Sequence, residues 1–197
     1  MDASRYESFA VDAVNVRNVI DAFRLFPDVG LRFFARRGLG RMDARGKLTL
    51  EARDTYPLAP WLKAFHEISA RVGPSKMFEI GRMVPKNSRF PPHVRDIHAA
   101  LRSLDVAYHM NHFHLGRPMF DPATGRTLDG IGHYVVVDEG PTRILVTSDD
   151  VPYPCELDRG ICTTLATNFE PNATVVHERG RECRRSGGSR CVYVVAW

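Results

Sequence analysis

Apolar residues recur at steps of three and four along the first half of the chain, which is the spacing of an amphipathic helix. Proline and glycine interrupt this pattern at intervals, as they do at helix ends. The pattern predicts helices over residues 8–26, 29–37 and 60–72, a short helix with Met77, Phe78 and Ile80, and one after Pro91-Pro92 with Val94, Ile97, Leu101 and Leu104.

The pattern changes after residue 105, where β-branched and aromatic residues are bounded by turn sequences. We predict a three-stranded meander over residues 106–115, 131–137 and 144–148, a helix over 156–169, and a closing pair of strands over 173–177 and 191–197. The chain therefore has an expected α+β fold, with N-terminal helices followed by a mostly antiparallel sheet with packed helices. We expect an N-terminal helical region, residues 1–74, that serves packing or dimerisation.

The bulk composition is that of an ordinary folded protein, with 44% hydrophobic residues and a net charge of +4 in 197 residues. No apolar run approaches the roughly 20 residues that span a bilayer. The N-terminus is polar, without a secretory apolar segment, so we expect a cytoplasmic protein with no membrane partner. Its four cysteines are then expected to be reduced, and to serve metal binding, catalysis or packing.

Three of the cysteines form a pattern that suggests a metal site. Cys183 and Cys191 flank a loop whose Gly187-Gly188 pair lets the chain fold back, so that the two thiols can approach each other. Cys155 lies at a predicted strand-to-helix junction. Three thiolates and one further ligand would make a closed structural site. The alternative is three unlinked buried cysteines, which are common in protein cores.

From about Gly81 to Trp197 the chain resembles the vinyl-reductase-type small-molecule-binding domain. It is similar to the sensory domains of activators that respond to phenol and aromatic hydrocarbons. The resemblance is carried by Pro154-Cys155, the helix containing Gly160, then Glu178, Cys183, Gly187-Gly188 and Cys191. It implies a ligand-binding domain over residues 75–197 and a structural zinc ion held by Cys155, Glu178, Cys183 and Cys191. That zinc would staple the C-terminal strands to the helix after Cys155.

The fourth zinc ligand is the point at which the sequence departs from the resembled family. The family acid lies three residues before its cysteine, where this chain has Gly180. Side chains alternate along a strand, so Glu178, five residues before Cys183, keeps the same facing, and we prefer it to His177. A bulge at Gly180 would reverse that preference. Cys162 is a third candidate, but it lies two helical turns beyond Cys155.

A histidine-rich stretch, residues 108–114, supplies candidates for a ligand cavity. Read as a strand, it places Tyr108, Met110, His112 and His114 on one face, and His109 and Phe113 on the other. Such histidines can bind a transition metal, donate hydrogen bonds in a cavity, or lie on a half-exposed sheet. We expect the ligand-binding residues to be Tyr108, His109, Met110, His112, Phe113, Tyr134, Tyr153 and Phe169.

The function expected from these features is that of a stand-alone sensor that binds a small hydrophobic or aromatic ligand. Any output would pass through a homodimer or a regulatory protein partner, because the chain has none of the ATPase or DNA-binding regions of the resembled activators. No nucleophile motif, phosphate loop or dinucleotide fingerprint is present, so we favour binding over catalysis. One alternative is an enzyme or accessory protein that acts on a tetrapyrrole or aromatic substrate. Another is a nucleic-acid-binding regulator that uses the basic segment 32–47, although we regard that segment as a solvated loop.

Overall fold

The computed structural model describes residues 2–24, 30–87, 92–178 and 182–197. These residues form an α+β fold with antiparallel sheets, as the sequence predicts. The described α-helices are α1 (Ala13–Arg24), α2 (Leu31–Arg36), α3 (Leu58–Met83), α4 (Ile97–Met110) and α5 (Cys155–Thr167). The predicted end of the first helix, at Phe26 and Pro27, lies outside the described residues, as do Pro91 and Gly180.

The N-terminal region contributes a strand as well as helices. The predicted helix over 8–26 is wrong at its start, where β1 (Phe9–Asp12) precedes α1. Phe9 and Val11 alternate inward along this strand and are 9% and 0% exposed. The first sheet also contains β4 (Thr55–Pro57), β5 (His112–His114) and β6 (Arg117–Pro118). β1 pairs antiparallel with its two neighbours, and the order is β4-β1-β5-β6.

The second sheet is the C-terminal one. Its strands are β9 (His133–Gly140), β10 (Arg143–Asp149), β11 (Thr174–His177) and β12 (Arg190–Ala196), close to the predicted ranges. All of its described pairs are antiparallel, in the order β11-β12-β10-β9. The predicted meander is wrong in one respect. Its first strand does not join this sheet, because β5 pairs with β1 instead.

Helix α4 occupies most of the stretch that we predicted to be a histidine-rich strand. Asp96 caps it by accepting a hydrogen bond from the Ala99 amide. The buried stripe of Ile97, Leu101, Leu104 and Tyr108 keeps helical spacing to its end. Tyr108, His109 and Met110 are therefore helical, and the alternation of faces predicted for 108–114 is wrong.

Helices α3 and α5 pack so closely that their backbones are in contact. A Cβ atom on Gly160 would lie 2.2 Å from the Phe78 carbonyl oxygen, and one on Gly81 would lie 2.1 Å from the Leu157 carbonyl oxygen. Thr164 adds a hydrogen bond to the Arg82 carbonyl, at 2.8 Å. Helix α3 itself changes direction at Gly73-Pro74, where Gly73 has a φ of 77°. The predicted break there is confirmed as a kink between two helical segments.

Two short hairpins complete the described strands. They are formed by β2 (Gly40–Met42) with β3 (Leu48–Leu50), and by β7 (Phe120–Asp121) with β8 (Arg126–Thr127). One apolar core runs from β1 and the helices to β12, so both halves of the sequence contribute to it. Within the described ranges, no helix has the length and apolar character needed to cross a membrane.

Candidate functional site

A cavity of about 760 Å³ lies between helices α1, α3, α4 and α5 and is the main candidate for a ligand site. Aromatic and aliphatic side chains make up most of its wall. Of the predicted ligand-binding residues, the structure places Tyr108, Met110, His112, Tyr134 and Tyr153 in this wall. Residues of the wall that sequence reasoning did not select include Asn15, Val19, Trp61, Phe65, Leu157, Asp158, Ile161 and Leu165.

Three predicted ligand-binding residues lie elsewhere in the described structure. His109 is 0% exposed, but its ring lies beside Asp105 and His133 and is not part of the cavity wall. Phe113 is on β5, opposite Ala10 and Pro118. Phe169 follows α5 and packs against the core. His109 points away from the cavity because it is helical, and a residue next to Tyr108 on a helix points about 100° away from it.

Three polar side chains of the cavity wall, those of Trp61, Tyr153 and His112, form a chain of hydrogen bonds. The Trp61 indole N–H donates to the Tyr153 hydroxyl at 3.1 Å, and the Tyr153 hydroxyl lies 3.0 Å from His112 Nε2. His112 Nδ1 lies 2.7 Å from the Tyr108 carbonyl oxygen, which can only accept. The proton of His112 is therefore on Nδ1, and Tyr153 donates to Nε2. Burial lowers the pKa of His112 to about 4, so this ring is neutral near pH 7.

A buried ion pair closes the cavity on the α5 side. Both oxygens of Asp158 are occupied: one accepts from the Tyr134 hydroxyl at 2.9 Å, and the other accepts from Ser148 Oγ at 3.0 Å and from the Arg184 guanidinium. Burial raises the pKa of Asp158, while the charge of Arg184 opposes that shift. Arg184 also donates to the carbonyl oxygen of Tyr153 at 2.8 Å. The pair thus joins the cavity wall to the segment before β12.

The cysteines of the predicted metal site do meet in space. Cys155 Sγ, a ring nitrogen of His177 and Cys183 Sγ all lie within 4.8 Å of one another, and Cys191 Sγ lies 3.8 Å from Cys183 Sγ. All four cysteines are free of disulfides. A hydrogen bond from the Cys155 thiol to Cys191 raises the pKa of Cys155 and lowers that of Cys191. This group contains His177 where we preferred Glu178, and the fully buried Cys162 is outside it.

The basic segment 32–47 forms most of α2, the chain after it and the first hairpin up to its turn. Arg32, Arg36 and Arg45 line a second, polar concavity together with Asp43. The carboxylate of Asp43 accepts hydrogen bonds from the backbone amides of Arg45 and Lys47, so it orders the hairpin turn. The basic segment thus ends in a hairpin whose turn is ordered by the one acidic residue within the segment.

Comparisons with solved structures identify the fold. A protein described in a study of haem distortion in the H-NOX family is 14% identical, with a TM-score of 0.61 and 94% of each chain covered. A mutant H-NOX from T. tengcongensis is 17% identical, with a TM-score of 0.57 and coverage of 94% of this chain and 96% of that one. The Fe(II) unliganded H-NOX of K. algicida is 13% identical, with a TM-score of 0.56 and coverage of 94% and 95%. No protein-family model and no curated protein matches the chain.

These likenesses correct two expectations. The resemblance to the vinyl-reductase-type domain is wrong, because solved structures that match 94% of this chain are described as H-NOX proteins. The predicted structural zinc ion, which was to staple the C-terminal strands, rested on that resemblance and is wrong with it. The similar solved structures are described with haem. The cysteine and histidine group lies where the start of α5 meets the C-terminal strands. The described chain has the fold of the H-NOX domains.

Proposed function

We propose that this chain is a small-molecule sensor domain whose cavity binds an apolar, ring-bearing organic ligand. The observation that carries the proposal is the cavity of about 760 Å³ between the helices, with Trp61, Phe65, Tyr108 and Tyr134 in its wall. Ligand sites in proteins are concave, mostly apolar and equipped with a few fixed polar groups. This cavity meets that description, with Tyr153 and His112 as the fixed polar groups.

The hydrogen bonds of Tyr153 specify the polar part of the ligand. Its hydroxyl accepts from Trp61 and donates to His112, which leaves one lone pair unused. Its only proton is already committed, so the hydroxyl can accept from a ligand but cannot donate to one. The preferred ligand is therefore a flat apolar molecule with a hydroxyl or N–H donor, such as a phenol or an indole.

Haem is the second candidate, because solved structures with this fold are described with haem. The size and apolar wall of the cavity suit a porphyrin, and Arg102 in the wall could meet a carboxylate. An iron held by histidine would need a free imidazole nitrogen. The described wall contains two histidines, His93 and His112. Both nitrogens of His112 are in hydrogen bonds, so the exposed His93 is the one that could hold the iron. The donor set therefore suits an organic ligand better than haem.

Calorimetric titration with 2-naphthol and naphthalene tests the first candidate, because the two probes differ by one hydroxyl. We expect the wild type to bind 2-naphthol roughly fivefold more tightly than naphthalene, which is the value of one neutral hydrogen bond of about 1 kcal/mol. Tyr153→Phe should lose that difference, whereas Tyr6→Phe, a buried tyrosine that does not line the cavity, should retain it. Equal affinities for both probes in the wild type would contradict the assignment of Tyr153.

A haem titration followed by absorbance tests the second candidate. A sharp Soret band at one equivalent of haem, lost in His93→Ala and kept in His114→Ala, would support haem as the ligand and contradict the proposal of an organic ligand. We expect only the broad spectrum of loosely associated haem in all three proteins.

A further inference from the structure

A second cluster of ionisable side chains lies on the other side of α4 from the cavity. Asp105 and His109 are one turn apart on α4, and His133 is the first residue of β9. His109 is fully buried, while Asp105 and His133 have side-chain exposures of 19% and 30%. One possible ligand atom from each of the three lies within 4.8 Å of the others. The cluster therefore bridges a helix and a strand and is reachable from solvent through His133.

The carboxylate of Asp105 faces both imidazole rings. His133 Nδ1 lies 3.4 Å from one of its oxygens, and the His109 ring lies beside the other. A separation of 3.4 Å is long for a hydrogen bond, and it is about the distance between two ligands held about 2.1 Å from one ion at a tetrahedral angle.

The outer hydrogen bond of His133 fixes which of its nitrogens faces Asp105. Its Nε2 lies 3.1 Å from a carboxylate oxygen of Asp129, which can only accept, so the Nε2 proton is donated there. Its other nitrogen, Nδ1, faces the Asp105 carboxylate at 3.4 Å, the position from which its lone pair could bind an ion shared with that carboxylate. Histidines that bind metal ions commonly donate their other nitrogen to a carboxylate in this way.

His109 and Asp105 show the same incomplete pairing. His109 Nδ1 lies 2.8 Å from the Asp105 carbonyl oxygen, while its Nε2 is buried and has no hydrogen-bond partner among the described residues. A buried nitrogen without a partner indicates an unseen ion or water. The Asp105 carboxylate is held in place by the Tyr134 amide, which donates to it at 2.8 Å. The imidazole rings of His109 and His133 are stacked, with their centroids 4.6 Å apart.

We infer that Asp105, His109 and His133 bind a divalent transition-metal ion, with Asp129 as the carboxylate that orients His133. Two imidazoles and one carboxylate are a donor set that ions such as Ni²⁺ accept, and they leave positions for water. A modest rotation of the half-exposed His133 ring would bring its Nδ1 into line with the ion. A bound ion would tie α4 to β9 beside Tyr108 and Tyr134 of the cavity wall. This inference does not depend on the proposed ligand of the cavity.

Calorimetric titration with Ni²⁺ tests the site. We expect the wild type to show one Ni²⁺ equivalent that His133→Gln weakens at least tenfold. His114→Gln, a change at an exposed histidine that contacts Ser8, is the matched control and should bind as the wild type does. Cys183→Ser should also keep this equivalent, which separates it from any Ni²⁺ on the thiols.

Amide NMR spectra of the wild type locate the ion without any variant. Paramagnetic Ni²⁺ at one equivalent should broaden the amide signals of Asp105, His109 and Tyr134 before those of Cys183 and Cys191. Three results would overturn the inference: no Ni²⁺ binding by the wild type, equal binding by His133→Gln, or an unchanged Tyr134 signal at saturation. Each of these would leave His133 as a ring that contacts two carboxylates without a metal ion.

Discussion

Asp158 on α5 and Arg184 before β12 form an ion pair in which the carboxylate is 0% exposed and the guanidinium side chain 10% exposed. The carboxylate belongs to the cavity wall, and the arginine directly follows Cys183 in the chain. Tyr193 extends the connection, because its hydroxyl donates to the Cys155 carbonyl at 2.8 Å and lies 3.5 Å from Arg184. A ligand that displaces Tyr134 or Asp158 would therefore act directly on the segment that carries the thiols.

Replacing Arg184 by methionine should destabilise the fold by about 3–5 kcal/mol, because it leaves the Asp158 charge buried without its partner. Urea unfolding measures this loss. The neighbouring exposed Arg185→Met is the control and should change stability by less than about 0.5 kcal/mol. The double variant Arg184→Met, Asp158→Leu should recover part of the loss. A single Arg184 variant as stable as the wild type would rule out the ion pair.

Acid should destabilise the protein through His112. Its pKa is lowered from 6.5 to about 4 by burial in the folded state, so protonation favours the unfolded chain. The neutral His112 ring therefore contributes fully to the free energy of unfolding above pH 6.5, and this contribution is lost as the pH falls from 6.5 towards 4. Between pH 7 and pH 5 the loss amounts to about 2 kcal/mol, since one pKa unit is worth 1.36 kcal/mol.

Urea unfolding at both pH values, in the wild type and in His112→Gln, checks this expectation. The variant cannot titrate at this position, so its stability should fall less over the same interval. His114→Gln, at an exposed ring, should retain the full dependence of the wild type. If His112→Gln follows the wild-type curve, the buried ring is not the group responsible.

The contact between α3 and α5 predicts that Gly160→Ala is strongly destabilising. The added methyl group would meet the Phe78 carbonyl oxygen at 2.2 Å, and the two helices would have to separate. Overpacking of this kind costs about 1–3 kcal/mol, and here it acts against backbone atoms that cannot rotate away. Thr163→Ala on the half-exposed face of the same helix is the control. A variant at Gly160 with unchanged thermal stability would argue against this close packing.

The four cysteines should differ in their reaction with iodoacetamide. Cys183 is the one whose side chain is half-buried, whereas Cys155, Cys162 and Cys191 are 5%, 0% and 0% exposed. Because alkylation requires access, Cys183 should be labelled first and Cys162, whose burial also raises its pKa, last. Peptide mass spectrometry after timed quenching measures the order. Labelling of Cys162 as fast as Cys183 would contradict the burial described for α5.

Much of the C-terminal half could be predicted from the sequence, because its signals are local. Strands β9 to β12 have branched or aromatic residues between turns, and α5 has a helical stripe. The approach of Cys183 to Cys191 follows from the glycine loop between them. The Gly73-Pro74 break in α3 is equally local, since a φ of 77° suits glycine and the proline cannot donate a backbone hydrogen bond.

The rest depends on partners distant in the sequence. β1 is four residues long, and its pairing with β4 and β5 determines that it is a strand rather than the start of α1. Tyr108 and His109 have the aromatic character of a strand, yet their helix ends only at Met110. Trp61 and Phe65 have the spacing of core residues, and only the arrangement of four helices turns them towards a cavity. The cysteine pattern is one that a different domain family also has, which is why it favoured the wrong family.

The most direct test of the account is to obstruct the cavity. Ala107 on α4 lines it and is exposed at its edge, so Ala107→Trp should block the entrance to the cavity with little effect on stability. Ala70→Trp, on an exposed position of α3 outside the cavity wall, is the matched control. Calorimetric titration with 2-naphthol should show one site in the wild type and in Ala70→Trp, and no binding in Ala107→Trp. Equal binding by all three proteins, or none by the wild type, would contradict the assignment of this cavity as the ligand site.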